Sequence, residues 1–260
     1  SSIFRPDQIF FKWYGRQYAH VLKCFTHFYV QNEISKELLA KLGISEVTVV
    51  GDTRFDRVLQ IKEAAKQLPL LETFTSQASK VFLAGSSWQP DEEIFIKYFN
   101  EHPEWKLIIA PHLIGEDHLH QIEKMLEGRS FVRYTDAEKG NTISNADVLI
   151  VNCFGKLSSI YHYANVAYIG GGFGVGIHNT LEAAVWDIPV IFGPNNQKFQ
   201  EAQGLKACGG GFEIKDAADF ESLMQRFDHP DEIREAGRKA GAYVAQMTGA
   251  TKKILSDVLL

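Results

Sequence analysis

Short apolar runs alternating with stretches of helical rhythm set the organisation of this chain. Residues 27–31, 47–50, 81–84, 107–110, 148–151, 166–169 and 189–192 have the length and apolar character of buried strands. Amphipathic segments between them predict helices: 33–42 closed by Gly43, one opened by Asp91-Glu92-Glu93, one opening near Asn179, one from about Phe199, and a helical tail over 217–260. Residues 60–79 read as a helix followed by a polar stretch without apolar rhythm, and 209–214 as a glycine turn into an edge strand. Strands alternating with helices are the mark of an α/β fold. No internal repeat or low-complexity segment interrupts it.

The richest stretch is 165–201, NVAYIGGGFGVGIHNTLEAAVWDIPVIFGPNNQKFQE. A strand runs into a loop with glycines at 170, 171, 172, 174 and 176, and a helix then opens at Asn179 and Thr180. So many glycines sacrifice folding entropy for a backbone that approaches something closely. A helix start beyond them aims free N–H groups at the same space, which suits a phosphate. No Gly-Lys-Ser/Thr follows, and G-x-G-x-x-G is not completed, which disfavours a P-loop NTPase and a dinucleotide dehydrogenase. Glycines chosen only for turns are the plain alternative. Against it stands Glu182, one turn into the helix, where a carboxylate suits the vicinal hydroxyls of a ribose. His178 by itself is more often a structural histidine than a catalyst.

These residues resemble the donor-binding region of the 3-deoxy-D-manno-octulosonic acid (Kdo) transferases, which add Kdo from CMP-Kdo to lipid A precursors. The shared pattern is Gly170-Gly171, a glycine-containing loop, His178-Asn179-Thr180-Leu181-Glu182, Pro189-Val190, Phe192-Gly193-Pro194 and Phe199-Gln200-Glu201. SIFRP, FFKWYG, Tyr29-Val30-Gln31-Asn32-Glu33 and GDTRFDRV resemble the same family, so the likeness covers nearly the whole chain. It implies a doubly wound parallel sheet of the GT-B type. Residues 1–52 would be the tail of an N-terminal acceptor domain and 53–260 a CMP-Kdo-binding domain, with the last helix packing back on the first part. The resemblance further implies that most of the N-terminal domain, with the general base, lies upstream of residue 1, so that this chain binds donor without transferring it.

Other strand ends supply further candidates. Gly85-Ser86-Ser87-Trp88 follows a strand, and Ser86 is read as a ligand contact, Glu92 and Glu93 as helix caps. After the next strand come Pro111 and His112, where the family usually carries an arginine for the donor's phosphate or sugar carboxylate. His112 is expected to stand in for it in its charged form. Asn152-Cys153-Phe154-Gly155-Lys156-Leu157 occupies the place of the family's Asp-Thr-Met-Gly-Glu-Leu, which holds the cytosine edge through backbone groups. Phe154 and Gly155 are therefore base-site candidates, alongside Gly171, Gly172, His178, Asn179, Thr180 and Glu182 for the rest of the donor. Cys153 reads as a buried thiol rather than a nucleophile.

Composition narrows the field. The 260 residues are 45% hydrophobic with a formal net charge of −5, which gives no basic footprint for nucleic acid. Three cysteines, Cys24, Cys153 and Cys208, form no C-x-x-C, and the nine histidines fall in no metal-ligand pattern; neither metal nor cofactor is expected. Residues 1–23 interleave Phe4, Phe10, Phe11, Trp13, Tyr14 and Tyr18 with Arg5, Lys12, Arg16 and Lys23. Such a segment is either a helix packed on a core or a face for an anionic membrane surface. The expected reaction is an inverting, metal-independent transfer of Kdo in lipopolysaccharide biosynthesis, at the cytoplasmic side of a bacterial inner membrane. Rival readings are a UDP-sugar epimerase of the same fold and a non-catalytic nucleotide-sugar binding module.

Overall fold

In a computed structural model the chain forms two compact units, one of residues 1–60 and 245–260 and the other of residues 61–244. The structure describes residues 1–140 and 143–259, apart from the side chain of Arg16; Leu260, the end of the predicted helical tail, lies outside the described residues.

The first unit starts from a parallel βαβ turn. Strand β1 (Phe28–Val30) pairs with β2 (Val47–Val49), and α1 (Glu33–Ala40) connects them. Asn32 caps α1 by accepting the Ser35 N–H at 2.8 Å. Phe4, Leu22, Phe28, Val30, Leu38, Leu39 and Val47 make the core. The aromatic start does not form the expected amphipathic α-helix. It winds as 3₁₀ turns, Ile9–Phe11 and Trp13–Cys24. A 3₁₀ repeat of three residues removes the four-residue offsets that would gather the rings on one face. Phe10 and Phe11 pack against the core, whereas Trp13 (86% exposed), Tyr14 and Tyr18 stay on the surface. Helix α2 (Thr53–Glu63) follows.

The second unit carries the main sheet. In chain order it contains α3 (Pro69–Thr75), β3 (Val81–Ser87), α4 (Gln89–Glu101), β4 (Lys106–Pro111), α5 (Glu116–Met125), β5 (Phe131–Arg133), α6 (Tyr134–Glu138) and β6 (Val148–Ile150). Then come α7 (Leu157–Ile160), β7 (Val166–Ile169), α8 (Leu181–Ala184), β8 (Val190–Phe192), α9 (Gln200–Cys208), β9 (Gly211–Glu213), α10 (Ala217–Arg226) and α11 (Pro230–Gln246). Seven strands line up as β5-β6-β4-β3-β7-β8-β9, all parallel. The chain enters at β3, winds to one edge, returns beside β3 with β7 and winds to the other edge. That is a doubly wound sheet. Phe82, Phe95, Phe99, Trp105, Tyr168 and Phe220 anchor its core.

Helices α5, α6 and α7 have no counterpart among the predicted segments, and two further elements escape the sequence pattern. Helix α3 lies in the stretch read as polar, where seven residues are too few to show rhythm although Leu71 and Phe74 are fully buried. Strand β5 is three residues long and sits at the sheet edge, with Phe131 exposed. A third difference matters more for the site. The helix expected near Asn179 is a single α-turn, α8, capped by Thr180.

Helix α12 (Ala250–Val258) belongs to the first unit, where the Asp56 carboxylate accepts the Gly249 N–H at 2.6 Å and the Thr251 N–H at 2.8 Å. Burial pushes the Asp56 carboxyl up, but those N–H bonds outweigh it and hold the group below its ordinary value. Its contribution is present above the unfolded value, near 3.9, and is lost as pH falls through the folded one. Asp56→Ala is expected to lower stability by about 1 kcal/mol at pH 7, the usual worth of an N-terminal cap. The gap from the parent should narrow below pH ~4 as the carboxylate protonates. Urea unfolding at both pH values checks this, and a gap that does not change with pH would refute it.

Candidate functional site

Reversal of the winding at β3 and β7 opens a crevice at the carboxyl ends of these two strands, the place where doubly wound sheets bind ligands. Strand β4 lies on the other side of β3 and β6 beyond it, so the loops that start at Ser86, Pro111, Asn152 and Gly170 share one sheet edge. Ser86 sits at φ 53°, where the register of β3 against β4 shifts. The glycines answer first to the protein itself. A Cβ on Gly170 would lie 2.2 Å from the Ser86 carbonyl oxygen, and one on Gly172 would lie 2.6 Å from the Gly193 backbone. The close approach read from the sequence is thus a packing of loop on loop. Several loop amides are consumed likewise: Gly170 donates to Gly85, Gly174 and Gly176 donate to Gly171, and His178 donates to Gly170.

The loop is fastened by a residue that the sequence reading passed over. Asp91 is 1% exposed. One carboxylate oxygen accepts the Tyr168 hydroxyl at 2.7 Å, and the other accepts the Gly171 and Trp88 N–H groups, both at 2.9 Å. Asp91 is the capping acid of α4, three residues after Trp88, and that spacing was its one signal in the sequence. The expectation that Glu92 caps the helix is corrected. Glu92 is wholly buried, and its carboxylate accepts the Ser87 hydroxyl at 2.8 Å and faces His118 Nε2 at 3.2 Å. Burial raises its carboxyl above the ordinary range, against the opposing pull of Ser87 and His118. Glu93 is exposed and accepts from Gln89 at 2.9 Å.

Three rings meet at the crevice. Trp88 stacks on His112 with centroids 4.5 Å apart, and His112 stacks on His178 at 4.6 Å. The Trp88 indole N–H donates to His178 Nε2 at 3.2 Å. Burial, with the neighbouring His112 adding to it, lowers the proton affinity of His178, while Asp91 pulls the other way. Trp88, Pro90, Phe173 and Val175 line a pocket of about 120 Å³ against Gly171, Gly174 and the already engaged Asp91.

The remaining predicted residues are distributed unevenly. Asn179 caps the short turn, its side-chain oxygen accepting the Leu181 N–H at 3.2 Å and its amide donating to Glu182 Oε1 at 3.0 Å. Among the described residues nothing accepts from the N–H groups of Asn179 and Thr180. The Thr180 side chain is buried, its hydroxyl without a partner, and so is not on the crevice surface. After β6, Phe154 is 75% exposed and Gly155 takes φ 80°. Lys156 is held by Glu138 at 3.1 Å and lies 4.8 Å over the Tyr134 ring. Cys153 is half-buried and its thiol is pushed up by burial, which weakens it as a nucleophile.

The Asp91 contacts make a stability prediction. Asp91→Ala leaves a buried tyrosine hydroxyl and a buried glycine N–H without acceptors, and should cost about 3 kcal/mol. Tyr168→Phe removes only one donor and should cost about 1 kcal/mol. Guanidinium unfolding of both variants checks the order. A smaller loss for Asp91→Ala than for Tyr168→Phe would rule out the carboxylate as the fastening point.

No family model matches the chain. Sequence relatives are clear. A bifunctional glycosyltransferase/methyltransferase of Fusobacterium nucleatum is 26% identical over 215 residues, covering 80% of this chain and 33% of the relative. The 3-deoxy-D-manno-octulosonic acid transferase of Rickettsia bellii is 24% identical over 235 residues (88% and 56%), and that of Aquifex aeolicus 32% over 144 residues (53% and 39%). The matched region thus spans from about a third to just over half the length of these relatives. Among solved structures, the C-terminal CMP-Kdo binding domain of WaaA from Acinetobacter baumannii superposes with a TM-score of 0.57 at 16% identity, covering 73% of this chain and 97% of that one. Anabaena HepE in complex with UDP gives 0.57 at 12% identity, covering 94% and 66%. The chain is related to the 3-deoxy-D-manno-octulosonic acid transferases, as the stretch from His178 to Glu182 leads one to expect, and has the α/β fold of a GT-B glycosyltransferase C-terminal domain.

Proposed function

We propose that the crevice between β3 and β7 binds the CMP part of CMP-Kdo, and that the protein serves transfer of Kdo to a lipid A precursor in lipopolysaccharide biosynthesis. One observation carries the reading. The family-like run from His178 to Glu182 lies at the topological switch point, with the Asn179 and Thr180 N–H groups unclaimed by the protein. The Asn179 N–H, on the partly exposed residue of the two, suits the donor phosphate, whose negative charge grows as the bond to the sugar breaks. Asn179 engages one oxygen of Glu182 and leaves the other for the ribose hydroxyls. Ser86, Pro111 and His112 border the phosphate and sugar from β3 and β4, and Phe154 and Gly155 border the base from β6. Thr180 is wholly buried and supports the turn behind Asn179. The transfer is read as inverting and independent of metal, with the acceptor and the general base supplied by an N-terminal domain whose tail is the first unit.

A membrane surface completes the proposal. Trp13, Tyr14 and Tyr18 are exposed near Lys12 and Lys23, a combination that suits an anionic leaflet. No helix among the described residues is long and apolar enough to cross a membrane, so contact would be at the surface of the inner membrane, on its cytoplasmic side.

Isothermal titration should show CMP binding in preference to UDP. Glu182→Ala should weaken CMP by about 1 to 3 kcal/mol, the range for charged hydrogen bonds lost with their partners stranded. Preference for UDP would instead favour a UDP-sugar enzyme of the same fold. Undiminished CMP affinity in Glu182→Ala would remove Glu182 from the ribose.

A further inference from the structure

The ring cluster specifies more than contact. Indole nitrogen is a donor and never an acceptor, so the bond from Trp88 Nε1 to His178 Nε2 requires a bare lone pair on that imidazole nitrogen. A neutral imidazole then carries its proton on Nδ1. The charged form, with both nitrogens protonated, would break the bond. The surroundings act in the same direction: His112 stacks on His178 at 4.6 Å, so a charge on either ring opposes a charge on the other. The titratable groups facing His178 are His112, from the end of β4, and Asp91, from the start of α4. Asp91 favours the cation, but its two oxygens are already taken by Tyr168, Gly171 and Trp88. Among the described residues no acceptor engages Nδ1 of His178.

We propose that Trp88 is a positioning residue of the donor site, whose indole N–H fixes His178 as a neutral imidazole protonated on Nδ1. His178 then offers the donor nucleotide-sugar a hydrogen bond, and its Nε2, occupied by Trp88, is withdrawn from base chemistry. His112 stacked against the pair limits rotation of both rings. The role assigned to the offered N–H rests on the donor-site reading above, whereas the tautomer itself does not.

Nitrogen-detected NMR of the ¹⁵N-histidine-labelled chain separates the two. His178 is assigned by comparison with His178→Gln. At pH 7.5 the parent should show one protonated nitrogen, Nδ1, and one bare nitrogen, Nε2. Trp88→Phe keeps an aromatic ring for the stack and removes the N–H together with the fused second ring. In it His178 should move to the Nε2-protonated tautomer that free imidazole side chains favour, and CMP affinity should fall about three- to tenfold, the worth of one neutral hydrogen bond. A parent His178 protonated on Nε2, or a tautomer unchanged in Trp88→Phe, overturns the inference. The parent spectrum decides even if Trp88→Phe fails to fold. Absence of CMP binding to the parent would instead count against the donor-site reading and leave the tautomer result standing.

Discussion

The geometry of the crevice depends on one buried carboxylate. Asp91 takes three hydrogen bonds while only 1% exposed, from a β7 side chain, the glycine loop and the residue before α4. A carboxylate in such a place is tolerated because each donor replaces part of the water it lost. Its removal would strand donors on two elements at once. The fixed angle between the start of α4 and the glycine loop therefore follows from a buried carboxylate held by three hydrogen bonds.

With that point fixed, the rest of the site follows by close packing. Backbone of Gly170 lies against Ser86 and backbone of Gly172 against Gly193, so the loops of β3, β7 and β8 interlock with no side chain between them. Asn195 tightens this junction, its N–H donating to Gly172 at 2.9 Å and its side-chain amide donating to Gly174 at 2.7 Å. A second buried carboxyl, Glu92, joins β3 to α5 through Ser87 and His118. Ser87 in turn accepts the His112 N–H through its carbonyl at 2.9 Å, which places the His112 ring where it stacks.

Much of this was legible in the residues, for reasons that also mark where legibility ended. Strands buried on both faces read as apolar runs, and β3, β4, β6, β7 and β8 were located to within a few residues. Short or edge elements have no such signature, hence the missed α3 and β5. Helix α8 was expected to be longer because the apolar residues after Glu182 keep helical spacing, yet Asp187 adopts φ 59° and ends the turn. Trp88 and Asp91 were overlooked as site-shaping residues because their roles depend on partners 77 to 90 positions away, His178, Gly171 and Tyr168. Spacing along one element cannot show that.

The crevice also relies on dipoles more than on formal charge. His112 stacks on Trp88 and His178, and the candidate cation on the β6 loop, Lys156, is engaged by Glu138. Burial and the neighbouring His112 lower the proton affinity of His178, against the pull of Asp91. The Asn179 N–H has no acceptor among the described residues, and it stands at a turn too short to add a large helix dipole. Oriented N–H groups in a rigid frame act over short range and are screened less by salt than exposed lysines. Packing of backbone on backbone sets the position of these groups, and that geometry leads back to the carboxylate of Asp91.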